Sequence, residues 1–364
     1  MPAAPTTHRV QFGRIACLFF MVLLGTSAGV VRANDVADRA VDAERGEAKS
    51  GIALVPPQPT KVTVGVFLNN IPSIDLQSNR FSFDAYVWLR WEPGEWPPQS
   101  ARVDPDGPAS PVDSLEFVDG VEVTKQVVFS RPGYCCVQVK GERLNFWDVR
   151  DYPFDRQRIE IVLEDASFDG REVVYVPDTA NSASSAELHV PGAVPAQPTI
   201  SASEFVYPTN FGDPELKLGS QSAYSRVTFA LPVDRDAAGV FFKLFTALFV
   251  STAIAMLALF INPTQVDPRF GLCVGGLFGI VASGYAVNSV LPDASGLSYA
   301  DKLHVAALLC VLLAVLESVY SLALHLNQGE AGAAKAKRLD RLTFAALAGG
   351  YALTVVVLTM QLRG

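Results

Sequence analysis

An uncharged, glycine-bearing segment constrains the fold of this chain more than any other stretch. Phe270–Leu291 runs for 22 residues without a charge and holds five glycines, which is long enough for a helix to cross a bilayer. Its polar residues gather near its end, at Ser283, Tyr285, Asn288 and Ser289. Small residues let neighbouring helices approach closely, whereas a polar face suits a water-filled path. The sequence leaves both interpretations open for this helix.

Apolar segments of similar length surround it and predict a four-helix transmembrane bundle within residues 236–364. The four predicted helices cover residues 239–261, 270–291, 303–325 and 342–362. The polar run before the last helix carries the basic residues Lys335, Lys337, Arg338 and Arg341. The positive-inside rule places such a run in the cytoplasm. We therefore expect a multi-pass protein of the plasma (inner) membrane, with the preceding domain in the periplasm or outside the cell.

The first 60 residues predict an export signal followed by a linker. Residues 1–33 carry Arg9 and Arg14 ahead of an apolar run, followed by small residues that suit cleavage, so they are predicted to be a signal peptide. An uncleaved anchor is the alternative. Residues 34–60 are charged and then proline-rich, which is typical of a linker.

Residues 61–235 alternate apolar with small or polar side chains, as in Val62, Val64 and Val66. This period of two, interrupted by Gly, Pro, Asp and Asn, predicts an immunoglobulin-like all-β sandwich of about ten strands. Residues 34–238 hold 31 acidic against 18 basic residues, and the whole chain has a formal net charge of −8. That balance argues against a nucleic-acid partner and favours, weakly, the attraction of cations. A solubilising surface explains it equally well.

Catalytic and metal-binding patterns are missing from the sequence. It has no GxSxG, HExxH, P-loop or Rossmann glycine pattern and only four histidines. We therefore expect neither an enzyme nor a cofactor or metal site. The exported part holds the adjacent pair Cys135 and Cys136, which could bridge only through a strained ring. Free thiols are expected there, and their role is left open.

One loop narrows the choice of family. Asn145–Ile159 reads NFWDVRDYPFDRQRI, and its aromatic-Pro-Phe-Asp-x-Gln core resembles the signature loop of pentameric ligand-gated ion channels, the Cys-loop receptor superfamily. Asn145 and Ile159 stand where the animal receptors have two bridging cysteines. Bacterial members of the family also lack this bridge. Val64–Trp91 is similar to the first two strands of the family's ligand-binding domain, and Leu291–Ser298 resembles the loop between its second and third helices.

The resemblance implies a homopentamer that conducts ions passively when a small-molecule ligand or a proton binds, with cations weakly favoured. The alternative is a non-conducting membrane sensor or scaffold of the same architecture. Three features depart from the family: the first predicted membrane helix has no proline, the segment SPVDSLEFVDG lacks a tryptophan, and the pore helix lacks leucine and Ser/Thr rings. The expected partners are other copies of the chain, membrane lipid, the ligand or proton, and the permeant ion.

The resemblance also assigns residues to the pore. The expected lining residues step by three or four along one helical face: Gly271, Gly275, Phe278, Ala282, Tyr285 and Ser289. Alternatively, Phe278 packs between helices and the glycines form close helix contacts. Asp267 and Arg269 would lie at the cytoplasmic mouth, where their opposite charges leave ion selectivity undecided.

Gating residues follow from the same resemblance. Asp155 and Arg235 would pair at the base of the sandwich, near Pro153, and contact the loop that begins at Pro292. A pair that serves stability alone is the alternative. Ligand would bind between subunits, where an aromatic cage suits an amine. The candidate aromatic residues, which could instead be core, are Tyr86, Trp88, Phe117, Phe129, Phe168, Tyr207 and Phe211.

Two ionisable residues of the third predicted helix are candidate proton sensors. Glu317 lies inside that helix, where a carboxyl group is a functional candidate by default. His304 lies near its outer end and could titrate near neutral pH. For Glu317, a hydrogen bond to a Ser or Thr of a neighbouring helix is the alternative.

Overall fold

The structure is a computed structural model that describes residues 58–98, 107–209, 211–212, 221–292 and 296–362. The predicted signal peptide and most of the predicted linker lie outside these described residues. Within the described ranges the chain forms twelve β-strands and three α-helices.

Seven strands form the first sheet, in the order β5-β6-β3-β1-β8, with β2 paired to β3 and β9 paired to β1. Their bounds are β1 Thr60–Asn70, β2 Ile74–Asp75, β3 Arg80–Arg90, β5 Gly120–Arg131, β6 Tyr134–Leu144, β8 Val173–Pro177 and β9 Ala183–Ser184. Buried and half-buried side chains alternate along β3, so one face of this sheet turns inward. β5 forms an edge of the sheet, and nearly all of its residues are exposed.

Five strands form the second sheet, in the order β10-β12-β7-β4, with β11 also paired to β12. Their bounds are β4 Leu115–Phe117, β7 Arg156–Asp165, β10 Ala193–Pro195, β11 Thr199–Tyr207 and β12 Ser222–Arg235. The core lies between the two sheets, where Phe83 of β3 stacks on Phe117 of β4 at a centroid distance of 5.9 Å.

The helices follow the last strand of the sandwich directly in the chain. β12 ends at Arg235, and helix α1 begins two residues later as Ala237–Leu257, followed by a short 3-10 helix, Ala258–Phe260. Helix α2 is Val266–Asn288 and helix α3 is Tyr299–Gln361. By length and apolar composition, each of the three could cross a membrane.

The predicted fold class is wrong. The described residues contain three helices and not a bundle of four, because the third and fourth predicted segments belong to the single 63-residue helix α3. The sheets also differ from an immunoglobulin-like sandwich of about ten strands: β1 runs parallel to β8 and β9, so the first sheet is mixed.

Helix α3 turns back on itself at Gly329, whose φ of 55° and ψ of −135° are not helical. The hydroxyl groups of Tyr299 and Thr359, near its two ends, lie 3.0 Å apart. A straight helix of this length would hold them about 90 Å apart. We call residues 299–328 the first arm and residues 330–361 the second arm. Gly332 packs so closely on the Leu324 carbonyl that a Cβ atom there would overlap it.

Candidate functional site

Helix α2 has two distinct faces. Its packed face carries Arg269, Cys273, Gly276, Ile280, Ser283 and Val287. The residues expected to line a pore all lie on the other face and are exposed: Gly271, Gly275, Phe278, Ala282, Tyr285 and Ser289. Phe278 is 69% exposed and Tyr285 is 74% exposed. Phe278 therefore does not pack between helices of its own protomer.

The glycines of α2 divide between the two faces. A Cβ atom added at Gly276 would lie 2.7 Å from both the Ser251 carbonyl oxygen and the Ala255 Cβ of α1. Gly279 also lies against Ser251. Added Cβ atoms at Gly271 and Gly275 would meet nothing within 4 Å. Close helix packing thus explains Gly276 and Gly279, whereas Gly271 and Gly275 leave the exposed face smooth.

The two charges expected at the pore mouth lie in different environments. Asp267, in the first turn of α2, is exposed. Arg269 is fully buried, with 0% exposure, so its assignment to the mouth is wrong. The helix turns by about 100° per residue, which takes Arg269 to the packed face two residues after Asp267.

Arg269 lies among groups from both arms of α3 and from Ile261, the residue that follows the 3-10 helix. Its Nη2 donates to Glu317 Oε2 at 2.7 Å and to Asp340 Oδ1 at 2.6 Å. Its Nε donates to Ser318 Oγ at 2.8 Å, and its Nη1 to the Ile261 carbonyl at 3.1 Å. Glu317 is thus held mainly by an ion pair. Asp340 was missed, because its partner lies 71 residues earlier in the chain.

The structure brings Asp155 and Arg235 together at the base of the sandwich. Arg235 Nε donates to Asp155 Oδ1 at 3.0 Å and its Nη2 to Oδ2 at 3.1 Å. Gln157 Nε2 donates to Asp155 Oδ2 at 2.6 Å. The guanidinium also lies over the Tyr152 ring, 4.9 Å from its centroid, and burial raises the pKa of that tyrosine. The aspartate is almost fully buried and the arginine mostly buried.

Phe154, the neighbour of Asp155, connects the sandwich to the helices. Its ring lies 5.7 Å from that of Phe241 in α1 and 5.7 Å from that of Tyr299 at the start of α3. Tyr299 N also donates to the Arg150 carbonyl at 2.8 Å. Sequence reasoning included Phe154 in the signature motif but gave it no role, although an aromatic residue beside the paired aspartate was the available signal.

Pro153 and Pro292, the other expected coupling residues, are buried. Pro153 follows a cis peptide bond. Residues 293–295, which would carry the expected contact of the loop with the ion pair, lie outside the described residues. Among the described residues, Phe154 and Arg150 connect the base of the sandwich to the helices.

The expected ligand-binding aromatics are not all at the surface. Phe117 and Phe168 are buried, in contact with Phe83 and Trp96 respectively, so their assignment to a ligand site is wrong. Alternation along a strand cannot tell which face of a sheet meets the core, as for Phe117 on β4, and Phe168 lies outside the strands, in the connection between β7 and β8. Tyr86 and Trp88 are half-buried on the outer face of β3, and Phe129 on β5 is exposed. Trp88 Nε1 donates to Asp178 at 3.0 Å.

Tyr207 and Phe211 do belong to one surface cluster, with ring centroids 5.4 Å apart. Tyr207 also contacts Phe205 at 4.7 Å and Tyr224 at 5.6 Å. We call these four rings the β11–β12 aromatic cluster. Burial, and then the nearby Glu164 carboxylate, raises the pKa of Tyr207.

This cluster already contains a cation. The Arg226 guanidinium lies 3.8 Å from the centroid of the Phe205 ring, and its Nη2 donates to Tyr207 Oη at 3.1 Å. The guanidinium pairs with Glu164 Oε2 at 2.7 Å. Sequence reasoning missed Arg226 and Glu164, which are neighbours only through the pairing of β12 with β7.

The second proton-sensor candidate, His304, lies between helices. One ring nitrogen lies 3.2 Å from Ser283 Oγ of α2 and the other 2.8 Å from the Ala300 carbonyl. In the sandwich, Cys135 is buried and Cys136 half-buried, and both thiols are free. Burial raises the pKa of both. Within the described ranges, no group of His, Cys, Asp and Glu could hold a metal ion.

No protein-family model matches the chain, and no curated protein matches it.

Proposed function

We propose that this chain is the subunit of a homopentameric, ligand- or proton-gated ion channel that conducts ions passively across the membrane. The observation that carries the proposal is the two-faced helix α2. Its packed face holds the protomer together, while its other face presents the six expected lining residues, without a charge, to the outside of the protomer. In a pentamer, five such faces would enclose a path whose wall includes the rings of Phe278 and Tyr285.

The exposed face suits a gated pore. Five copies of Phe278 around an axis would form an apolar ring, and such a ring can close a pore by excluding water. Gly271 and Gly275 add no side chain on the same face. Both aromatic side chains pack little against their own protomer.

Charge at the inner end supports cation conduction. Arg269 is buried and paired, so Asp267 is the exposed charge of the first turn of α2. Five exposed carboxylates at a narrow mouth attract cations and repel anions. Of the two opposite charges, Arg269 is buried and only Asp267 would face the mouth of the pore.

The base of the sandwich supplies a route for gating. Phe154 packs on α1 and α3 while its neighbour Asp155 holds Arg235, the last residue of β12. A ligand would shift the equilibrium between the closed and the open channel by its differential affinity for these two states. A shift of the signature loop would move the start of α3 directly.

The proposal is tested by electrical recording from the purified full-length protein in planar bilayers, during steps to acidic pH and additions of primary and quaternary amines. We expect stepwise cation currents. Phe278→Ala should raise the current that flows without a stimulus, because the apolar ring is lost. Asp267→Asn should lower the preference for cations, measured as a smaller shift of reversal potential in a salt gradient.

Phe242→Ala is the matched control, because Phe242 is a similarly exposed phenylalanine on α1. It should leave the resting current unchanged. If neither wild type nor Phe278→Ala carries current under any of these conditions, the channel proposal fails and a non-conducting sensor or scaffold takes its place. The mass of the intact assembly, measured in the same preparation, should equal five chains.

A further inference from the structure

The helical part buries more negative than positive charge. Arg269, Glu317 and Asp340 are all buried, and both carboxylates accept from the same nitrogen, Nη2 of Arg269, at 2.7 Å and 2.6 Å. One guanidinium thus faces two carboxylates. If all three are ionised, the cluster carries a net charge of −1 in a place shielded from water, which costs free energy.

A second observation concerns hydrogen bonds. Glu317 Oε1 and Ser321 Oγ are buried and have no hydrogen-bond partner within the described ranges. Ser321 follows Glu317 by four residues, so both lie on the same face of the first arm. An ionised carboxylate oxygen can only accept, whereas a protonated carboxyl group also donates. A proton on Glu317 would remove the charge from a buried oxygen that receives no hydrogen bond from the described residues.

Neighbouring charges do not compensate the cluster. From the residue that follows the 3-10 helix, the cluster receives the carbonyl group of Ile261. On α2, Asp267 is exposed, and on the first arm His325 lies one turn beyond Ser321, where its Nδ1 has no partner in the described part of the chain. The cations of the second arm are all exposed to solvent: Lys335, Lys337, Arg338 and Arg341. Solvent screens exposed charges strongly.

We propose that Arg269, Glu317 and Asp340 form a buried proton-binding site in which the two carboxylates share one proton. The bound proton makes the cluster neutral and lets it hold α2 against both arms of α3. A metal ion does not suit the site, because it would need several further oxygen ligands and would lie beside a guanidinium. The proposal does not depend on ion conduction.

The test is infrared difference spectroscopy of the full-length protein in detergent, titrated from neutral to alkaline pH. A protonated carboxyl group absorbs separately from a carboxylate. Wild type should show the band of a buried protonated carboxyl group at neutral pH and lose it as the pH rises. Glu317→Gln and Asp340→Asn should both lack that band, because either change leaves one carboxylate paired with Arg269. Glu330→Gln, at an exposed acid of the same helix, should keep it.

The result that overturns the proposal is a wild-type spectrum without a protonated carboxyl band while the protein is folded. A band that persists in both variants does the same. The wild-type measurement needs no variant, so a variant that fails to fold does not decide the outcome.

Thermal unfolding gives an independent readout. The folded protein would hold a proton that an unfolded chain releases at neutral pH, so the wild-type Tm should fall as pH rises, by about 3 °C per pH unit. Glu317→Gln should show less of this fall and Glu330→Gln the same fall as wild type. A Tm that follows sodium concentration and ignores pH would assign the site to a metal cation and overturn the proposal.

Discussion

Phe154 and Tyr299 meet edge to face, with ring centroids 5.7 Å apart and planes at 90°. One ring belongs to the loop at the base of the sandwich and the other is the first residue of α3. Residues 145 positions apart in the chain are thus in direct contact where the two parts of the molecule join. This contact joins the loop at the base of the sandwich to the start of α3.

Phe154→Ala should weaken the junction between the sandwich and the helices. The change removes contacts with two rings, each worth about 0.5–1.5 kcal/mol, so the free energy of unfolding should fall by about 1–3 kcal/mol. Any stimulated current should need a stronger stimulus. Phe146→Ala is the matched control, because Phe146 lies in the same loop but is 87% exposed. Equal effects of the two variants in thermal unfolding and bilayer recording would contradict the role of Phe154.

Asp155→Ala should destabilise the protein by about 3–5 kcal/mol, because it leaves the mostly buried Arg235 without its counter-charge. The comparison is Asp234→Ala, since Asp234 pairs with Arg156 at 3.4 Å while both side chains are largely exposed. That pair should be worth less than about 1 kcal/mol. Chemical unfolding followed by tryptophan fluorescence measures both changes. Similar losses of unfolding free energy for the two variants would show that burial of the Asp155–Arg235 pair adds nothing to stability.

The same variant separates gating from stability. If Asp155 and Arg235 serve stability alone, Asp155→Ala should lower the Tm without changing the stimulus required by the folded channels. We expect both to change, because the pair lies beside Phe154. The double variant Asp155→Ala/Arg235→Ala should lose less stability than the sum of the single variants.

Alanine substitutions should separate the two kinds of glycine in α2. Gly276→Ala should cost about 1–3 kcal/mol, because its Cβ would lie 2.7 Å from the backbone of α1 at Ser251. Gly271→Ala should be neutral or stabilising, since nothing lies within 4 Å and alanine favours a helix by about 1 kcal/mol. Thermal unfolding in detergent with size-exclusion chromatography measures both. Loss of the folded assembly by Gly271→Ala alone would reverse the assignment of the two faces.

The thiols of Cys135 and Cys136 should react slowly with alkylating reagents in the folded protein. Burial raises the pKa of both, so at neutral pH fewer molecules carry the reactive thiolate. The labelling rate should rise with pH and keep rising above the ordinary thiol pKa of 9.0, and it should be faster in denaturant. A Cys135→Ser/Cys136→Ser variant gives the background from the other cysteines. Fast labelling of native protein at neutral pH would contradict this prediction.

The family resemblance selected one face of α2, and the helical repeat of 3.6 residues then determined which residues share that face. It could not place Arg269, whose side chain is held by Glu317 and Asp340, 48 and 71 residues away. A charge near a helix end has the same sequence appearance whether it faces a channel or an interior ion pair. Only the tertiary arrangement distinguishes the two cases.

The prediction of four membrane helices failed because a polar run was interpreted as a loop between two helices. The run between the third and fourth predicted helices contains mostly Ala, Lys, Arg, Glu, Leu and Gln, which are strong helix formers. A single residue, Gly329, is enough to reverse the chain. In the sandwich, alternation predicted strands, but it could not reveal that Phe117 of β4 points to the core or that β1 pairs in parallel with β8.

The side chains on the exposed face of α2 change in size along the helix. Gly271 and Gly275 add nothing beyond the backbone, Phe278 adds a phenyl ring, Ala282 a methyl group and Tyr285 a phenol. In a ring of five such helices, a passing ion would keep its hydration shell at the inner end and between the two aromatic levels. It would have to shed water only over two short distances, so the rate of passage would depend on those two rings and little on the remaining length of the helix.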